Sequence, residues 1–212
     1  MLFGNQKEIY QDMRINIFEF AGVCKKYDWE NGTEIGGVMY GKSRDKKVYI
    51  EHFSLIDNVF SYEAGDKSRE RYKASETHLK SLRTYFGSLV VSGNRFLGEF
   101  HSHPSGNPLP SSEDIENIYT NKLKKENYIL GIITAKTASD RDLKNLQVKL
   151  FDENNAKTKE YIYTINFYCF NKNYASYKEI GVWSYNTAAE RLFKQSQEFS
   201  GIQFVKRLKR ST

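Results

Sequence analysis

Two histidines one residue apart, His101 and His103, followed at short range by Asp114, are the most chemically loaded constellation in this chain of 212 residues. In an extended segment residues i and i+2 share a face, so both imidazoles can address one ion. Asp114 adds a carboxylate oxygen. Two nitrogens and one oxygen suit a catalytic Zn²⁺, which keeps its fourth position for water, whereas a structural zinc closes all four positions with protein atoms. Pro104, Pro108 and Pro110 stiffen the connecting loop and Gly106 permits a sharp turn within it. Ser111-x-x-Asp114 then reads as a helix start. Ser111 is the expected N-cap and Asp114 falls at N3, where the positive helix end favours a carboxylate that still faces the loop. Alone, the first pair is an ordinary surface strand and the second an ordinary capping box; joined across a proline-set turn they predict a metal site.

These residues need a strand, a turn and a helix, and the rest of the chain supplies them in alternation. Residues 5–14 read as a polar lead-in. From Ile15 the spacing of Ile15, Phe18, Ala21 and Gly22, with Ile17, Phe20 and Val23 beside them, predicts a buried helix ending near Tyr27. Asn31-Gly32 signals a turn ahead of a strand over 35–40, whose Gly36 and Gly37 admit a close backbone. Residues 48–59 predict one strand, or two with a bulge between; His52 within it stands outside the donor set. A polar basic loop over 61–74 precedes a helix over 75–86, with His78 on its flank. The strand over 96–100 then delivers the histidines. Its Glu99 shares a face with His101 and is a rival general base or a partner for an imidazole N–H. The helix opened at Asp114 is expected to run through Ile115, Ile118, Tyr119 and Leu123. The run over 128–133 is expected as the buried centre of the sheet, extended by a hairpin of 146–151 and 161–170. A helix over 188–199 and a basic tail over 205–210 close the chain.

The length fits one domain with an extension. Apolar residues at 39% and charged ones at 27% exclude a disordered chain, and aromatics at 15% fall on strand-like segments, where they build a core. A net charge of +6 is far below that of a dedicated nucleic-acid binder. Cys24 and Cys169 lack a Cys-x-x-Cys spacing and are expected as buried free thiols in a reducing compartment. No signal-like run and no stretch of eighteen apolar residues is visible, so a soluble, cytoplasmic protein without membrane contact is expected.

The run His101-x-His103-Pro104, then Ser111-x-x-Asp114, with Glu34-Ile35-Gly36-Gly37 upstream, resembles the two-part signature of the JAMM (JAB/MPN) zinc metalloproteases over about residues 15–150. The resemblance implies an α/β fold, a mixed curved β-sheet flanked by helices of the cytidine-deaminase-like kind. Joined to the segments read above, it gives the JAB/MPN domain at 15–170, after a lead-in at 1–14 and before a helical, basic extension at 171–212 that lies largely outside the resemblance and whose removal from Asn171 should spare zinc binding. It further implies His101, His103 and Asp114 as zinc ligands, Glu34 as the general base and Ser111 as the residue that steadies the oxyanion. The implied reaction is hydrolysis of an amide or isopeptide bond after the tail of a ubiquitin-like protein, held as an added strand. The loop Pro104-Ser105-Gly106-Asn107-Pro108-Leu109-Pro110-Ser111 also resembles RadC-type JAB relatives, which makes a nucleic-acid-associated module without peptidase activity the alternative. Metal-free MPN scaffold subunits are a third likeness, but they have typically lost ligands that are all present here.

Overall fold

A computed structural model describes residues 12–25, 34–44, 46–56, 75–78, 80, 81, 84, 93–123, 127–137, 147–151, 160–173, 176–184 and 202–205. The turn at Asn31-Gly32, the basic loop over 61–74, the helix over 188–199 and the tail beyond Val205 lie outside them. The elements run β1 (Asp12–Ile15), α1 (Ile17–Lys25), β2 (Gly36–Arg44), β3 (Lys47–Ile56), β4 (Arg95–Ser102), α2 (Ser112–Asn117), β5 (Asn127–Thr137), β6 (Gln147–Phe151), β7 (Glu160–Asn171), β8 (Lys178–Ser184) and β9 (Ile202–Val205). Residues 76–78, 80, 81 and 84 are also helical. No described helix is long and apolar enough to cross a membrane.

The nine described strands join one mixed, curved sheet in the order β5-β4-β2-β3-β1-β8-β7-β6-β9, and β5 also pairs with β7. That extra pairing returns the first strand of the order to the seventh, so seven strands form a nearly closed ring from which β6 and β9 branch. The seam is the most regular part. β5 and β7 are antiparallel in unbroken register from Asn127↔Asn171 to Thr137↔Tyr161. The apolar run of β5 is buried on both faces, as such runs are when each side has a cover. Ile129 and Ile133 join the core of β1, α1, β2, β3 and β4, whereas Tyr128, Leu130 and Ile132 meet Ile118, Tyr168 and Phe170 on the other face. The α/β class with a mixed curved sheet is thus as the sequence implies.

Bulges tune the strands that carry the site. Between Tyr40↔His52 and Gly41↔Ile50 the register of β3 slips by one residue, the bulge expected in that segment. A second slip lies between Met39↔Gly98 and Tyr40↔Phe96 on β4, and it increases the local twist just before the histidines. Gly37 is required by contact: a Cβ there would stand 2.0 Å from the Ser54 carbonyl oxygen.

Three elements differ from expectation. Residues 12–15 form a strand and not a lead-in or a helix start, because Met13 and Ile15 bury one side of a ribbon held parallel to β3 and β8, partners remote in sequence. The helix begins at Ile17 and ends at Lys25. The helix opened by Ser111 turns at Ile118 into a π-helical segment through Lys122, closed by the Leu123 N–H donating to the Ile118 carbonyl at 2.8 Å. Within the expected extension, β8 and β9 are strands of the same sheet.

Candidate metal centre

The histidines stand where β4 ends beside β5. These two strands run parallel, and the crevice beyond the carboxyl ends of parallel strands is where open sheets place ligands. Phe100 faces the core with α1, so alternation turns His101 to the opposite face, toward α2. The His103 N–H continues the ladder by donating to the Ile133 carbonyl at 2.9 Å. The chain then turns: His103 to Gly106 is closed by the Gly106 N–H on the His103 carbonyl at 3.0 Å, with Pro104 second in the turn and Gly106 at φ 74°. Asn107 fixes the next step, its side-chain oxygen accepting the Leu109 N–H at 3.1 Å. The Tyr168 hydroxyl donates to the Pro108 carbonyl at 2.7 Å, which ties the loop to β7.

Ser111 caps α2 as expected. Its hydroxyl accepts the Asp114 N–H at 3.1 Å, while its own N–H donates to Asp114 Oδ2 at 2.8 Å. The same hydroxyl donates to Asp114 Oδ2 at 2.7 Å. Cap and carboxylate orientation are therefore a single device, and Asp114 is aimed back at the histidines. His101 Nε2 lies 2.9 Å from His103 Nε2 and 3.4 Å from Asp114 Oδ1; His103 Nε2 lies 3.6 Å from Asp114 Oδ2.

Those separations fit a metal ion. Bonds of the length zinc makes to nitrogen and oxygen place tetrahedral ligand atoms about 3.3 to 3.4 Å apart. The tautomer fits too, because His103 Nδ1 stands 2.9 Å from the Asn107 carbonyl oxygen, which can only accept. Nδ1 must hold the proton, and a neutral His103 then presents the lone pair of Nε2 to the other donors. Among the described residues His101, His103 and Asp114 are the group whose ligand atoms converge, all within 4.8 Å of one another.

Electrostatics couple the same residues. Burial acts to lower the His103 pKa, but acceptance of an imidazolium N–H by the Asp114 carboxylate, the Asn107 carbonyl and the negative charges of Glu34 and Asp114 outweigh it and raise it. Burial likewise opposes ionisation of Asp114, yet His101 and His103 hold its carboxyl far below the usual range.

Glu34 is buried and lines the same cleft of about 720 Å³ as His101, His103, Ser111 and Asp114. All five residues singled out in the sequence thus line one cleft, from β4, the loop that follows it, the start of α2 and the segment just before β2. Glu99 lines the cleft too, but its carboxylate pairs with Lys122 Nζ from the π turn. The imidazole partner expected of Glu99 is for His103 the Asn107 carbonyl instead. His52 pairs with Tyr40 across β2 and β3, outside the donor cluster. Lys122, Asn107, Tyr168 and Ser102 are contributors that sequence reasoning passed over. Only Ser102 left a signal, its place between the two histidines.

A ring-like mixed sheet with two histidines and an aspartate at the end of a parallel strand pair defines a JAB-type domain. The chain belongs to the prokaryotic homologs of the JAB domain, whose family profile matches residues 26–146. Among curated proteins it is similar to the UPF0758 protein SH1266 of Staphylococcus haemolyticus, 25% identical over 130 residues that cover 52% of this chain and 56% of that protein. The chain thus spans little more than half the length of that relative. Among solved structures it resembles protein DSY2949 from Desulfitobacterium hafniense, at a TM-score of 0.50 and 15% identity, over 82% of this chain and 92% of the other. That likeness concerns the fold.

Proposed function

We propose that the chain is a zinc-dependent hydrolase of amide or isopeptide bonds, acting after the C-terminal tail of a ubiquitin-like protein in the cytoplasm. The observation that carries the reading is the convergence, among the described residues, of two imidazoles and a carboxylate on one point, with the buried carboxylate of Glu34 in the same cleft. His101, His103 and Asp114 would hold the ion. When bound, zinc would lower the pKa of a coordinated water toward about 7 and polarise the scissile carbonyl. Glu34 would accept a proton from the attacking water and return it to the leaving nitrogen. Ser111 now gives its proton to Asp114, so it would have to turn that hydroxyl toward the substrate to support the developing oxyanion. No side chain becomes acylated.

Metal content and two substitutions test the reading. The purified protein should carry one zinc, with Glu34→Gln retaining it while cleavage of C-terminal ubiquitin-like fusions falls by at least about a hundredfold. His103→Ala should lose both. Undiminished cleavage by Glu34→Gln would remove Glu34 from its role.

A second reading is a RadC-type module that associates with nucleic acid without peptidase chemistry, favoured by the UPF0758 relative and the Pro-Ser-Gly loop. Against it stands the charge of the cleft, where among the described residues Glu34, Glu99, Glu113, Asp114 and Glu116 face one lysine, Lys122. Such a lining repels a phosphate backbone. Salt-dependent DNA affinity with no cleavage of any fusion would favour this second reading.

A further inference from the structure

We infer that Ser102, between the two histidines, is a positioning residue that fixes Glu34 relative to the metal donors. The inference rests on the hydrolase reading above and concerns how its base is held. β2 and β4 are antiparallel with Gly37↔Phe100 and Gly36↔His101 as their last regular pairs. One step further the ladder changes character. The Ser102 N–H still donates to the Ile35 carbonyl at 2.8 Å, but the Ile35 N–H donates to the Ser102 hydroxyl oxygen at 3.0 Å. A side chain thus takes one of the two bonds that close the end of this strand pair.

The consequence is geometric. Ser102 points away from the donors, as alternation between His101 and His103 demands, and it is fully buried, so its hydroxyl has no water to turn toward. Its own backbone is locked into β4, in register with Ile133 of β5. The hydroxyl therefore clamps Ile35 to the segment that sets both imidazoles, and the residue before Ile35 is Glu34. One short strand thus presents ligands on one face and holds the base from the other.

The test uses the full-length chain loaded with Co²⁺. Ser102→Ala should bind Co²⁺ within about twofold of the unmodified protein, because the three donors and the His103–Ile133 bond remain. Its visible absorption spectrum at one fixed pH should move toward that of Glu34→Gln, whereas Ser102→Thr, which keeps the hydroxyl, should retain the original spectrum. Amide exchange at Ile35 should quicken by about tenfold in Ser102→Ala and not in Ser102→Thr. An unchanged Ser102→Ala spectrum, or loss of Co²⁺ affinity in parallel with it, would overturn the positioning role while leaving the hydrolase reading intact. Should Ser102→Ala fail to fold, an unprotected Ile35 amide in the unmodified chain overturns it equally. Failure of the unmodified chain to take up Co²⁺ would overturn both.

Discussion

His103 carries its functional information in two bonds, one to a backbone carbonyl and one to a carboxylate, and together they raise its pKa. For the metal-free chain the sign follows. A raised folded value means that the charge pair with Asp114 adds stability in full below the ordinary histidine value of about 6.5, and loses it as pH rises through the raised value. The melting-temperature advantage of metal-free wild type over His103→Gln should therefore be level below about pH 6.5 and shrink over the window that opens there and runs upward. A gap constant over that window would dismiss the pair. Zinc must displace the same proton, so zinc affinity should climb over the same range in a chelator competition. At this scale the sequence was most informative, because His101, His103, Ser111 and Asp114 are close in the chain and their spacing alone specifies a strand, a turn and a cap. Glu34 was legible only through the two-part family signature, and the Asn107 carbonyl was illegible because backbone atoms leave no mark on residue type.

Among the elements, the loop between β4 and α2 has the most to do and the least regular structure to do it with. Its prolines set the path, yet its anchor lies on β7. The Tyr168 hydroxyl reaches the Pro108 carbonyl, and burial, with the charge of Glu179, pushes the Tyr168 pKa up to about 12, so the phenol stays a neutral donor. Tyr168→Phe should cost about 1 kcal/mol in denaturant unfolding and make zinc dissociate several-fold faster. Identical zinc release would show that the prolines suffice. Strand β5 and the β6–β7 hairpin were readable because long apolar runs and alternation are strong local signals. Strand β1 was not, because four residues are too few to show a period and its neighbours come from distant stretches. The π turn at Ile118–Lys122 was equally hidden: Ile115, Ile118, Tyr119 and Leu123 fit an α-helical spacing, and the extra residue shows only in the Leu123 N–H reaching back five residues to the Ile118 carbonyl.

For the molecule as a whole, the ring is the feature that sequence patterning could least foresee. Residues 171–212 were expected as an extension dispensable for zinc binding, but β8 pairs with both β1 and β7 and is a link of the ring. A chain stopped after Asn171 loses that link, strips β1 of one of its two neighbours and exposes Ile180's place in the core. It should show no cooperative thermal transition and retain no zinc, whereas a chain stopped after Ser184 should keep both. A folded, zinc-loaded protein ending at Asn171 would show that the ring closes without β8. Closure was illegible because it depends on long-range pairings that alternating residues permit but do not specify.

Between Gly98 and His101 the backbone of β4 is engaged on both sides, by β2 and by β5. A guest peptide therefore finds no vacant main-chain edge on the histidine strand itself. A guest lying in the cleft would instead meet side chains such as Asn117, Asn121 and the Glu99–Lys122 pair. Under the hydrolase reading, selectivity would be written in exchangeable surface residues and would drift to new clients while the sheet and its donor cluster stay fixed.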